Sequence, residues 1–278
     1  MANDITTGIG LRRVRVALRD EDGTIGVPAG QGVGVAYEGL AVSGALALTL
    51  TIPDPQRVTA RGDDRAYYTF QLPPTDTPTG ELRVSKTSGP VMALLSGTKS
   101  WGTSPNKKVG LATDRQGDEQ AVILWGCRQA IDSDEDSATF GQQLWATYIL
   151  LNALATVRPS AMEDAAIGEI TYSIAANDAS VDEYGKTFTV IINGFTKCPY
   201  VMVITKDKFA MDAFVGDNSE NEFTLSHAST WSATGVTDVY VDGVLQVISA
   251  NYTIALGVIT FAPAPGTGAK VIVEYEYT

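Results

Sequence analysis

DVYVDGVLQ, at positions 238–246, is a β-hairpin written in nine residues. Val239-Tyr240-Val241 leads into Asp242-Gly243, and Val244-Leu245-Gln246 leads out. Asp-Gly takes the two positive φ angles of a type I′ turn, whose twist matches that of the flanking strands. Downstream, Tyr252–Ile254, Val258–Phe261 and the alternating Lys270–Tyr277 read as three more strands, the last two separated by the Pro/Gly loop APAPGTG. About five strands in some 60 residues predict a small β-sandwich at the C-terminal end.

The same signals extend upstream. Val14, Val16 and Leu18 alternate with Arg13, Arg15 and Arg19, giving one apolar and one charged face. Asp22-Gly23 reads as a turn, Val33–Tyr37 as strand-like, and Ala45–Ile52 as a firm strand ended by Pro53 and Pro55. Glu81–Val84, Ala121–Arg128, Ile167–Ala175, Thr187–Ile192 and Tyr200–Thr205 follow as strands. Gln143–Arg158 fits either period, since Leu144, Tyr148 and Leu151 share a helical face while Leu144, Ala146, Tyr148 and Leu150 alternate; the β surroundings favour strand. Pro90–Leu95, followed by Gly97, predicts a short helix, with proline in the first turn and glycine past the end. The fold class is therefore all-β with one short helix. The polar runs Lys206–Lys208 and Gly216–Glu222 predict a boundary near 206–222, dividing a larger domain (1–210) from a small Ig-like β-sandwich module (211–278).

Residues 53–80 form a long connection with an aromatic insert, Tyr67, Tyr68 and Phe70, that fits a hairpin packing on a neighbouring molecule. Arg57, Arg61 and Arg65 mix there with Asp63 and Asp64. Mixed charges on a long loop suit a salt-sensitive contact between identical subunits, and Arg57, Arg61, Asp63, Asp64, Arg65, Tyr67 and Tyr68 are the candidate contact residues. An ordinary solvated loop is the alternative.

Little else carries chemistry. The chain has one histidine, His227, and two cysteines, Cys127 and Cys198, which rules out a His-pair zinc site and a CxxC motif. His227 lies beside Ser226 and Ser229, where a surface or edge histidine is a better reading than a catalytic triad. Gly30–Gly34 lacks the glycine spacing and following helix of a nucleotide-binding loop. Asp132–Asp136 reads as a solvated acidic turn, because Ser137 and Gln143 stand where a calcium loop needs glycine and glutamate. No catalytic residue, metal or cofactor is expected, and the chain is not expected to be an enzyme.

The formal charge is −12, with eight acids and one lysine in 211–278 accounting for −7 and leaving −5 for the first 210 residues. That sign opposes nucleic-acid binding, which depends on cations releasing counterions from phosphates. The apolar stretch 32–52 is too interrupted to span a membrane, and the first residues lack the apolar core of a signal peptide. Folding in the cytoplasm that makes the chain is the expectation, with both cysteines as buried thiols.

The order of these features resembles the major tail tube proteins of long-tailed bacteriophages: a β-rich start, the long loop at 53–80, GELRVSKTSGPVMALLSG, AVILWGCRQAIDSDEDSATFGQQLWATYILLNALATVRPS, then AIGEITYSIAANDAS. DVYVDGVLQ and NYTIALGVITFAPAPGTGAKVIVEYEY are similar to small β-modules appended to phage virion proteins. The resemblance implies a β-sandwich or barrel whose subunits form hexameric rings, stacked into a tube in the virion tail and contacting other tail proteins. The long loop would reach the adjacent ring, and DNA would pass without binding. The module would decorate the outside, so that removing 218–278 would leave polymerisation intact. Capsid decoration, a tail spike part, and a carbohydrate-binding sandwich using Trp101, Trp125, Trp145 and Trp231 are the alternatives.

Overall fold

The computed structural model describes residues 5–20, 23–51, 53, 56–62, 65–72, 77–85, 88–96, 99–101, 110–112, 121–133, 140–158, 169–177, 179–180, 197–198, 200–233, 235 and 237–278. In chain order, β1 (Ile5–Leu18) is followed by β2 (Leu40–Ala41), β3 (Ala45–Thr51) and the pair β4 (Gln56–Gly62) and β5 (Arg65–Leu72). β6 (Thr79–Val84) leads into α1 (Gly89–Ser96), then the short pair β7 (Lys99–Trp101) and β8 (Gly110–Ala112). The long strands β9 (Val122–Asp132) and β10 (Gln143–Arg158) come next, then β11 (Ile170–Ala176), the pair β12 (Ala179–Ser180) and β13 (Lys197–Cys198), and β14 (Tyr200–Thr205). The last third holds β15 (Lys208–Val215), β16 (Glu222–Thr224), a 3-10 turn, β17 (Thr237–Val241), β18 (Val244–Leu245), β19 (Tyr252–Ala255), β20 (Val258–Phe261) and β21 (Lys270–Tyr277). The protein is all-β with one α-helix among the described residues.

The main sheet runs β2-β1-β9-β10-β11-β6-β3, with β14 also on β10. Its two edges are consecutive pieces of chain. Leu40, Ala41 and Val42 bond to β1, the Val42 N–H donating to the Val14 carbonyl at 2.8 Å. After a bend at Gly44 (φ 75°), β3 pairs with β6 instead. The segment 40–51 thereby closes the sheet into a barrel. Val14, Val16, Leu82, Val122, Leu124, Leu150 and Tyr172 fill its interior, and α1 contributes Val91 and Leu95, one turn apart on one helix face. Ser88 caps α1, its Oγ accepting from the Val91 N–H at 3.4 Å.

Alternation along the wall strands gives the barrel a second apolar face. Ala17, Ile123, Trp125, Ile149, Leu151 and Val201 point outward and meet Phe209, Met211, Ala213, Tyr240 and Ile272 in one core. The latter belong to the sheet β15-β21-β17-β18. The opposite face of that sheet packs Phe214, Val239, Val271, Val273 and Tyr275 on Phe223, Ile259 and Phe261 of the sheet β16-β20-β19. The outcome is a stack of barrel wall, middle sheet and outer sheet. Each fully buried large side chain in it contributes roughly 1.5–3 kcal/mol.

The hairpin at 238–246 has the expected turn, with Asp242 at φ 48° and Gly243 at φ 75°. Other expectations change. Between the polar runs Lys206–Lys208 and Gly216–Glu222 lies β15, a strand the sequence reading did not mark, which pairs along its whole length with β21. Its run FAMDAFV is buried on both faces, so it shows near-continuous apolarity instead of strand alternation. Asp132 is the fully buried last residue of β9 and not part of a solvated turn, while 134–136 lie outside the described residues. Val33–Tyr37 makes only two isolated bridges, Val35 to Thr224 and Tyr37 to Ala213. Thr187–Ile192 lies outside the described residues.

Candidate assembly surfaces

The long connection does form a hairpin. β4 and β5 pair antiparallel, with Val58 opposite Phe70 and Ala60 opposite Tyr68, and a register shift after Ala60. They form a two-stranded sheet of their own, joined to no other sheet among the described residues. Of the candidate contact residues, Arg57, Arg61, Arg65, Tyr67 and Tyr68 lie on these two strands, and Asp63 and Asp64 lie outside the described residues.

Against β3 lies a groove that sequence reading missed. It has a volume of about 620 Å³ and is lined by Leu46, Leu48 and Leu50 of β3, Tyr148 of β10, and Tyr200 and Met202 of β14. Leu46 and Met202 remain 48% and 44% exposed, high values for apolar side chains facing one concavity. The groove continues the barrel's apolar interior past the point where β14 is added to β10. Arg128 also lines it. One terminal nitrogen of Arg128 donates to the Tyr148 hydroxyl at 2.6 Å, and its guanidinium lies 5.0 Å from the centre of that ring. Its Nε is buried with no acceptor, and among the described residues no carboxylate pairs with it. No sequence signal marks this groove, because β3 and β14 come together only in the closed barrel.

A polar seam joins the barrel to the middle and outer sheets. Glu38 pairs with Arg15 at 2.5 Å and with His227 Nε2 at 3.0 Å. The His227 ring stacks on Tyr277, centroids 4.0 Å apart and planes within 7°. Arg13, at a bulge in β1, covers the same tyrosine at 4.8 Å. His227, expected at the surface, is only one-fifth exposed. Next to it the buried Asp212 accepts from the Ser226 N–H (2.7 Å), the Ser226 hydroxyl (2.8 Å) and the Tyr275 hydroxyl (2.9 Å). Burial pushes the Asp212 carboxyl up, and the hydrogen bonds from Ser226 and Tyr275 oppose that rise. Tyr275 is raised strongly by burial, reinforced by the Asp212 charge. Ser226 thus faces Asp212 while His227 faces Glu38, and the serine–histidine contact of a hydrolytic triad is not made. Nothing in the sequence marks Glu38 or its pairing with His227, 189 residues away.

No protein-family model and no curated protein sequence matches the chain. The charge and aromatic readings rest on the structure alone. Of the eight acids in 211–278, Asp212, Glu274 and Glu276 are buried, so the surface there is less acidic than the sequence count implies. Trp125 and Trp145 are 3% and 7% exposed and belong to the core, which removes two of the four tryptophans offered as sugar platforms. Cys127 is a buried free thiol, raised by burial, its Sγ donating to the Arg12 carbonyl at 3.3 Å. The side chain of Cys198 lies outside the described residues. Among the described residues no group of three or more potential ligands could hold a metal, and no helix is long and apolar enough to cross a membrane.

Proposed function

We propose that this chain is a structural virion protein, a tail tube subunit of a long-tailed bacteriophage. Copies assemble into hexameric rings that stack into a tube through which DNA passes unbound, alongside other tail proteins in the virion. The observation that carries the reading is the hairpin of β4 and β5, a sheet of two strands that hydrogen-bonds to no other sheet among the described residues. Isolated two-stranded hairpins are marginal in water, so one rich in aromatic and β-branched residues gains stability from a neighbour. The excess of acids disfavours attachment to phosphates. The feature order that resembles tail tube proteins supports the same role.

Another virion role, in capsid decoration or a tail spike, is favoured by one feature. Val244, Val247 and Ile248 are each more than half exposed at the β18 edge of the middle sheet, where a second protein can add a strand. Deletion of residues 57–72 separates the two roles. For a tube subunit, sedimentation velocity of the parent chain shows large assemblies and the deletion leaves a folded monomer. Assemblies that persist unchanged in the deletion variant refute the hairpin's role and favour the β18 edge.

A further inference from the structure

The groove against β3 brings a long apolar wall to a single uncompensated cation. Leu46, Leu48 and Leu50 stand at every second position of β3, so their side chains share one face and line about 13 Å of the groove. Tyr200 and Met202 of β14 add apolar lining. Gly126 opens the space between them. It lies in β9 directly across from Tyr148, and it carries no side chain into the groove. A Cβ there would lie 3.2 Å from Leu11 Cδ1 and 3.3 Å from Val14 Cγ2. Glycine inside a strand often marks a place where a ligand or another backbone comes close. The volume of about 620 Å³ falls among those of small-molecule sites, roughly 300–1,000 Å³.

Arg128 and Tyr148 supply the polar end. Arg128 gives one N–H to the Tyr148 hydroxyl at 2.6 Å, and its buried Nε has no acceptor. A hydroxyl that accepts through a lone pair keeps its own proton, so the Tyr148 O–H is a second donor beside the first. Among the described residues no carboxylate neutralises the guanidinium. In an apolar enclosure water does little to replace that missing charge, so an arriving anion is held more strongly than at an open surface. A planar carboxylate with two oxygens matches a guanidinium and a neighbouring hydroxyl.

We infer that the groove binds a small amphiphile, an alkyl chain of medium length ending in a carboxylate. The chain lies along the β3 leucines, and the carboxylate accepts from Arg128 and Tyr148. The arginine selects the head, because a neutral or cationic head leaves its charge uncompensated. The wall selects the tail, because a short anion leaves the leucines and the 44% exposed Met202 uncovered. The site does not depend on the assembly reading, which every outcome below leaves standing.

Calorimetric titration of the full-length protein tests it, with dodecanoate, dodecanol and dodecyltrimethylammonium below their micelle-forming concentrations and with acetate as the tailless anion. The expected result is one dodecanoate per chain, bound about tenfold or more tighter than dodecanol, with no saturable binding of acetate or the ammonium. Arg128→Met removes the difference between dodecanoate and dodecanol. Met202→Glu, a charge placed in the apolar wall, weakens dodecanoate by about tenfold or more and so locates it in the groove. Should Arg128→Met alter the far-UV circular dichroism spectrum, Tyr148→Phe takes its place and narrows the same difference. Absence of saturable dodecanoate binding, equal affinity for the three head groups, or a folded Arg128→Met chain that keeps the preference for carboxylate overturns the assignment.

Discussion

Glu274 is the residue at which burial and charge are most sharply opposed. It is 1% exposed in β21, opposite Met211 on one side and Asp238 on the other, and its Oε1 has no hydrogen-bond partner. Burial, reinforced by the Asp238 charge, holds its carboxyl well above the usual range. The folded state therefore keeps a proton that the unfolded chain releases. By linkage, stability is highest below the ordinary carboxylate pKa and falls as pH rises from there towards the raised folded value. Glu274→Gln removes that dependence. It is expected to stabilise the protein at pH 8 by on the order of 1–3 kcal/mol, with a gain that shrinks towards pH 4, in thermal melts across that range. A variant less stable than the parent at pH 8 contradicts this account. Asp212 is also pushed up by burial, but its carboxylate satisfies three donors that oppose the rise. Asp212→Ala orphans the hydroxyls of Ser226 and Tyr275 and is expected to cost on the order of 3 kcal/mol in urea unfolding. Gly39 (φ 76°) is equally constrained, since a Cβ there would lie 2.8 Å from Trp125 and 3.0 Å from the Val16 carbonyl. None of these roles is legible in the sequence. VIVEYEY reads as a strand with a wet glutamate face, and only the barrel wall behind β21 makes that face dry.

Elements were legible where local chemistry decides them. The Asp-Gly hairpin, the strands of the barrel wall and the proline-led helix follow from turn residues and periodicity. β10 has apolar residues at both periods, and its length of 16 residues comes from serving two neighbours in turn, β14 along 145–150 and β11 along 153–158. β15 was missed because a strand covered on both faces loses the alternation that identifies strands. Its pairing also changes what the C-terminal residues do. Removing 218–278 takes away β21 and bares Phe209, Met211 and Ala213 together with the barrel's outer face. The truncated chain is expected to aggregate or bind a hydrophobic dye strongly, and a soluble, dye-silent truncation would show that the shared core is dispensable. The helix cap is a smaller test, since Ser88→Ala is expected to cost about 1 kcal/mol in the same urea assay.

At the scale of the whole molecule, barrel wall, middle sheet and outer sheet stack through two shared cores, and the charged and aromatic hairpin β4–β5 hydrogen-bonds to no other sheet among the described residues. The buried Asp212, Glu274 and Glu276 leave the surface of 211–278 less acidic than its charge count implies. Contacts made through Arg57, Arg61 and Arg65 with mixed acids are screened by salt, so assembly is expected to weaken as ionic strength rises from 50 mM to about 500 mM. The groove was invisible to sequence reading, because its walls β3 and β14 lie more than 100 residues apart in the chain. The hairpin was visible, since its aromatic insert interrupts a long polar connection. Negative-stain electron microscopy of the purified full-length protein tests the central claim most directly. The account predicts six-fold rings or tubes built from them, and dispersed monomers at high protein concentration and low salt would contradict it.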